Sequence, residues 1–371
     1  APNQTATKAA WMLKNYIADE AERTSDDIRI GTVDSWLVWN LTQGQHHVTD
    51  HTNAAVTGLT IPTGESWNEK VLSVLGISEH QLPRIVETSA FIGNATDLPG
   101  APPIMAMVGD QQASLVGQGC IAPGLTKITF GTGGMLNTFV GSRAPERAQR
   151  NEGGTFPIVA FSAGGTISYA TEAIMLSAGT NIEWLRDDMQ LISSAAESHD
   201  IASTVQTTDG VVYVPALLGL GTPFWDYGAR GALFGITRGT TRAHIVRAVL
   251  EGVAHRGADL VDAAEKDSGL SIAELRIDGG MSRNATFVQA LADASGRPVR
   301  VSPVTEATTL GAGFLAGVVA GQWSQLTDAA AALSGAISVE PLGAPGVSRQ
   351  QWAEAISRAG SWIPDLSALD F

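Results

Sequence analysis

Residues 231–251, GALFGITRGTTRAHIVRAVLE, carry three signals in one short window. An apolar segment over 232–236 opens behind Gly231. A polar turn follows. An amphipathic helix then starts near Thr241, and its pattern predicts a long helix over 242–266. Strand, turn and helix in that order set the grammar for the chain on either side. Downstream, a strand over 275–277 ends in Gly279-Gly280. Helices are predicted over 284–294, 309–319, 328–333 and 350–359. Upstream, 211–214 reads as a short strand, and 171–178 and 182–192 read as helices.

Strands over 126–130, 135–140, 156–161 and 166–169 come before these. Glycine-rich turns separate them, and the last pair forms a hairpin across residues 162–165. Residues 104–108 read as a buried strand and 111–119 as a helix. The chain opens with helices over 6–19 and 32–41. A loop-rich region then runs to about residue 103, with one short helix over 67–75. Hairpin strands followed by alternating strands and helices predict an α/β fold, a mixed sheet flanked by helices. Pro102-Pro103 marks the expected boundary between two domains, 1–107 and 108–371.

Composition narrows the partners. The formal charge of −14 argues against nucleic acid or an anionic membrane surface, both of which need clustered Lys and Arg. It leaves nucleoside phosphates open, because local amides and a metal ion hold those. With 44% hydrophobic residues the chain can bury real cores. Its one cysteine, Cys120, allows no intrachain disulfide and reads as a small core residue in a cytoplasmic protein. No apolar run is long enough to span a bilayer. The segment 311–321, GAGFLAGVVAG, reads as a tightly packed internal helix. The seven histidines lack zinc-site spacing. His46, His47 and His51, near Asp50, read as a solvated polar loop.

Three short motifs carry candidate chemistry. Asp110, in Gly109-Asp110-Gln111-Gln112, sits where a buried strand meets a helix. Its plainer role is a helix cap. Its functional role is a carboxylate facing a cleft, able to take a proton from an alcohol and to face Mg²⁺. Gln111 is then placed to bind a second hydroxyl. Gly131-Thr132-Gly133-Gly134 reads either as a hairpin turn needing positive φ or as a nest for phosphate oxygens. Asp278-Gly279-Gly280 with Asn284 reads as a strand-to-helix turn or as a side-chain-free surface for a nucleoside. The 179–183 loop is a candidate second wall.

Taken with the 231–251 segment, these motifs resemble the FGGY carbohydrate kinases, glycerol kinases among them, over about residues 6–360. Residues 6–11, 31–36, 47–54 and 181–187 share the likeness. The resemblance implies the actin-like ATPase fold with two domains, ATP mainly on the second and a small polyol or sugar between them. It implies Asp110 as catalytic base and metal-facing carboxylate, and Gln111 as a substrate ligand. Thr132 and Gly133 then belong to the phosphate loop, and Gly179, Glu183, Gly280 and Asn284 to the adenosine pocket. Asn3 and Met135 stand where the family has aromatic residues around glycerol, so a wider or more polar substrate site is expected. A homodimer is common in the family. The family's first β-hairpin, with its Asp-x-Gly-Thr loop, has no counterpart after Ala1, which makes the first domain incomplete. On that ground the chain alone is expected to transfer phosphate slowly or not at all. The competing expectation is a nucleotide-binding module without kinase chemistry.

Overall fold

The computed structural model describes residues 4–369 apart from 18, 20, 21, 26, 148, 334, 344 and 345. The first part runs α1 (Thr5–Tyr16), α2 (Val33–Leu41), β1 (Val48–Asp50), α3 (His51–Ala55), α4 (Glu69–Leu75), β2 (Arg84–Val86), β3 (Gly93–Asn94) and β4 (Pro103–Ile104). Then come α5 (Asp110–Gly117), β5 (Thr126–Phe130), β6 (Gly134–Gly141), β7 (Phe156–Ala163), β8 (Thr166–Met175), α6 (Thr180–Asp187), α7 (Glu197–Ala202), β9 (Val212–Val214) and β10 (Ala232–Phe234). The chain finishes with α8 (Arg242–Ser268), β11 (Leu275–Asp278), α9 (Ala285–Ser295), β12 (Val299–Val301), α10 (Ala307–Val319), α11 (Leu326–Ala331), β13 (Ile337–Val339), α12 (Arg349–Ala359) and α13 (Pro364–Ser367).

A seven-stranded mixed sheet in the order β13-β12-β11-β5-β6-β8-β7 organises the larger part. Strands β12, β11 and β5 run parallel, while β5, β6, β8 and β7 form antiparallel pairs. The β7–β8 turn has Gly164 and Gly165 at φ 58° and 79°, the two positive values a two-residue primed hairpin turn needs.

The two sheet faces pack against different helices. Ile128, Phe130, Leu136, Ala173 and Ile277 join Val249, Val253 and Leu260 of α8 and Phe287 of α9 in one apolar core. Thr241 caps α8 in a reciprocal arrangement with His244, and Gly269 ends it in the left-handed conformation at φ 69°. Helices α5 and α10 cover the other face. Their backbones meet where a Cβ on Gly311 would stand 1.8 Å from the Ala113 carbonyl oxygen, and one on Gly117 1.9 Å from that of Ala307. The small-residue run at 311–321 therefore sits in a helix pressed against α5 on one side, with its other side partly exposed.

Several sequence expectations need correction. Residues 171–175 continue strand β8 instead of forming a helix. Pairing with β6 throughout, and with β7 as far as Glu172, outweighs the helix preference of Ala, Glu and Met. The helix expected over 182–192 is Thr180–Asp187. Of the expected 104–108 strand only Ile104 is laddered, in the short strand Pro103–Ile104; Met107 donates singly to the Thr88 carbonyl at 3.0 Å. The loop-rich region holds a parallel pair, β1–β2. His47 and His51 are half-buried, and His51 Nδ1 lies 2.9 Å from Ser162 Oγ, so these histidines are not a solvated loop.

Gly311→Ala should lower stability by about 2–3 kcal/mol, through overpacking of α5 against α10. Gly313→Ala, where a Cβ meets nothing within 4 Å, should be neutral or slightly stabilising. Urea denaturation of both variants checks the contrast.

Candidate functional site

The site begins with a buried carboxylate. Asp50 is fully buried at the start of α3. Its oxygens accept from the backbone N–H groups of Thr52 and Asn53, at 2.9 and 3.0 Å, and from Asn53 Nδ2 at 2.8 Å. They also accept from Thr52 Oγ1 at 2.8 Å and Thr88 Oγ1 at 2.7 Å. Burial raises its pKa while these donors pull it back. Thr52 Oγ1 in turn accepts from Gly109 N–H at 2.8 Å. Thr88 and Ser162 exchange backbone-to-hydroxyl bonds of 2.9 and 3.0 Å, which ties the same cluster to β7. The corner before Asp110 is thus held from two elements far away in sequence.

Asp110 itself is exposed, as the first residue of α5. Gly109 occupies the cap position, so the plain capping role does not describe Asp110. Its Oδ1 accepts only from the next N–H, that of Gln111, at 2.7 Å among the described residues. The rest of the carboxylate faces outward. Gln111 is half-buried, and its Oε1 accepts from Lys127 Nζ at 2.7 Å. The Gln111 amide nitrogen is therefore the end turned away from that ammonium.

Lys127 was not singled out by the sequence reading. It is fully buried on β5, and it also donates to Thr129 Oγ1 at 3.0 Å. Burial pushes its pKa down to about 8, against the nearby charges of Asp278 and Glu172. Strand register explains the grouping: Arg276, Lys127, Asn137 and Glu172 stand side by side across β11, β5, β6 and β8. Asn137 Nδ2 donates to Glu172 at 3.2 Å, and burial raises the pKa of that carboxyl. One row along, Asp278, Thr129, Met135 and Ile174 are neighbours. Asp278 accepts from Ser114 Oγ at 3.2 Å through Oδ2, and its buried Oδ1 has no partner among the described residues. A lysine inside the apolar strand TKITF was the signal available in the sequence.

A cavity of about 220 Å³ lies past the end of β5, with Phe130, Ile182 and Leu250 of the apolar core in its wall. Thr132, Gly179, Glu183, Gly280 and Asn284, predicted from three separate stretches, all line it. Backbone bonds bring the two loops together: Gly179 N–H to the Gly131 carbonyl at 2.8 Å, and Ala178 N–H to that of Thr132 at 2.9 Å. A Cβ on Gly280 would meet nothing within 4 Å, so glycine there leaves open surface.

Gly133 does not line the cavity; its Cα packs where a Cβ would be 2.8 Å from the Met175 carbonyl oxygen. Residues 131–133 connect the antiparallel pair β5–β6, as the hairpin expectation has it, but none of Gly131, Gly133 and Gly134 has the positive φ expected of it. Close approach to β8 is the reason for glycine at 133. Asn284 caps α9 through Phe287 N–H at 3.0 Å and donates to Ser198 Oγ at 2.9 Å, so its amide helps build the wall. Asn3 lies outside the described residues. Cys120 is a buried core residue, with its thiol pushed up to about 12 by burial.

These features define an ATP-dependent carbohydrate kinase, and comparison with known proteins agrees. Residues 1–117 match the N-terminal domain and residues 126–320 the C-terminal domain of the FGGY family of carbohydrate kinases. The chain belongs to that family. It is 40% identical to glycerol kinase 2 of Thermotoga maritima over 96% of this chain and 72% of that protein. It is 41% identical to a glycerol kinase of Deinococcus radiodurans over 98% and 73%. The glycerol kinase of Plasmodium falciparum, solved with ADP, superposes with a TM-score of 0.86 at 30% identity, covering 95% of this chain and 71% of that one. A xylulose kinase of Lactobacillus acidophilus shares the fold, with a TM-score of 0.82 at 22% identity. The actin-like ATPase fold and a glycerol kinase-like phosphorylation of a polyol or sugar follow. No helix among the described residues is long and apolar enough to cross a membrane.

Lys127 should titrate with a midpoint near 8, read from the pH dependence of a lysine side-chain carbon resonance that disappears in Lys127→Met. Because its pKa is lowered in the folded state, the unfolded chain holds this proton more firmly. Stability from this group should therefore rise as pH increases above about 8.

Proposed function

We propose that Asp110 is the general base of an ATP-dependent kinase acting on a small polyol or sugar. An alcohol is too weak an acid to ionise first, so its proton must pass to a carboxylate as the oxygen attacks phosphorus. The observation that carries this reading is an exposed, singly hydrogen-bonded Asp110 on a corner braced by the Asp50 cluster. Gln111, with Oε1 fixed by Lys127, presents its amide nitrogen to a second substrate hydroxyl. Lys127 acts as the positioning residue.

ATP enters as co-substrate. The fit is supported by the open surface at Gly280 and by the convergence of Gly179, Glu183 and Asn284 around the same cavity. Thr132 and the neighbouring loop amides would hold phosphate oxygens. Mg²⁺ commonly takes one or two carboxylates plus phosphate oxygens, and it would supply charge neutralisation on the transferring group. Asp110 and the unpartnered Oδ1 of Asp278 are the carboxylate oxygens suited to it, directly or through water. Met135, on the polar face of the sheet beside Thr129, would border the substrate. Its flexible thioether in place of an aromatic wall favours polyols longer than glycerol.

Asp110→Asn should lower kcat by about 10²–10⁴-fold and leave ADP affinity within about twofold. Turnover within tenfold of the unaltered protein would remove Asp110 from the role. Gly280→Val should weaken ADP binding at least about tenfold by calorimetry, as a side chain fills the open surface. Initial rates with glycerol, erythritol, ribitol, xylulose and gluconate would rank the substrates.

A further inference from the structure

Past the far end of α5 from Asp110 lies a second cavity, of about 140 Å³. The eight-residue helix separates the two by about 12 Å along its axis. Gln118, Arg276, Arg300 and Ser302 supply its polar lining, and Leu333 and Ala336 its apolar wall. Gln118 is only 5% exposed, yet neither its Nε2 nor its Oε1 has a partner among the described residues. A buried amide with both ends unmet is a costly feature to retain, because it loses its water bonds and gains none.

The charges around it are not balanced. Arg276 and Arg300 stand opposite each other across β11 and β12 and share one carboxylate, Glu274, at 3.1 and 3.3 Å. Arg276 also donates to the Gln118 carbonyl at 2.6 Å, which fixes its guanidinium at the cavity wall. Two cations against one anion leave a local positive site on a chain of net charge −14. Guanidinium groups have five donors in a planar fork, so each retains donors for an oxyanion.

We propose that this cavity binds a small phosphate-type oxyanion, separately from the nucleotide pocket. The chemistry is specific to that class. The arginines and Gln118 Nε2 need acceptors, while Gln118 Oε1 needs a donor. Hydrogen phosphate offers both on one group, and a polyol phosphate offers the O–H through a free hydroxyl of its polyol, whereas a plain carboxylate has no O–H to give. The volume admits a group of several heavy atoms and excludes a nucleotide. The ligand is either free phosphate or the phosphate end of a small ester such as the product of a polyol kinase.

The test is thermal unfolding of the protein in saturating ADP, so that the nucleotide site is filled. Inorganic phosphate and glycerol 3-phosphate are compared with chloride at equal ionic strength. A Tm rise of about 2–5 °C with either anion is expected for the unaltered protein. The anion giving the larger rise identifies the source. Gln118→Leu and Arg300→Ala should both abolish the rise. Gln118→Leu should also be at least as stable as the unaltered protein without anion, since it removes the unpaired amide. The half-exposed Arg300 provides a variant that does not disturb the core. Absence of a rise with both anions, or an equal rise kept in both variants, would overturn the site. So would crystals soaked in phosphate that show only water beside Gln118.

Discussion

The hydrogen bonds converging on Asp50 are the constraint on which the arrangement of this enzyme rests. Residues from α3, from the segment after β2 and from the approach to α5 meet at or next to one buried carboxylate. Burial alone would favour the neutral acid. The surrounding N–H and O–H donors compensate the charge, and in doing so they fix each other. Gly109 is one bond removed from Asp50, and Asp110 is the next residue. The position of the exposed Asp110 carboxylate is thus set by a concealed one.

A second organising fact is the split personality of the central sheet. One face is apolar and packed on α8 and α9. The other carries Lys127, Glu172, Asn137 and Asp278 beneath α5. Charges of both signs in a buried layer are tolerable only when they are paired or hydrogen-bonded. Lys127 is satisfied by Gln111 and Thr129, and Glu172 by Asn137. Such a layer transmits geometry: a shift of the ammonium would be felt at Gln111, on the helix that begins with Asp110. The close glycine contact between α5 and α10 keeps that helix seated on the layer.

Much of this was legible in the sequence, and the failures have physical causes. The long helix from Arg242, the strand β5 and the β7–β8 hairpin have strong local signals, although the hairpin turn takes only 164–165 of the expected 162–165. Of the residues that the family resemblance assigns to a phosphate loop and an adenosine pocket, Thr132, Gly179, Glu183, Gly280 and Asn284 line one cavity and Gly133 does not. Residues 171–175 misled because Ala, Glu and Met favour helix locally, while two flanking strands decide otherwise. Asp50 looked like a surface residue because it stands among histidines and threonines. Nothing local reports that Thr88 and Gly109 close over it.

The sequence by itself determined the family, the alternation of elements, the apolar stripe of α8 and the identity of five residues that line one cavity. Those properties depend on residue type and short-range spacing, which a linear text contains. Only the tertiary structure decided that Lys127 holds Gln111, that Asp50 is interior and that Gly133 packs on β8 instead of facing the cavity. It also brought Gln118 between two arginines. Each of these is a contact between elements far apart in the chain, set by strand register and helix packing, and long-range register leaves no mark on the residues beside it.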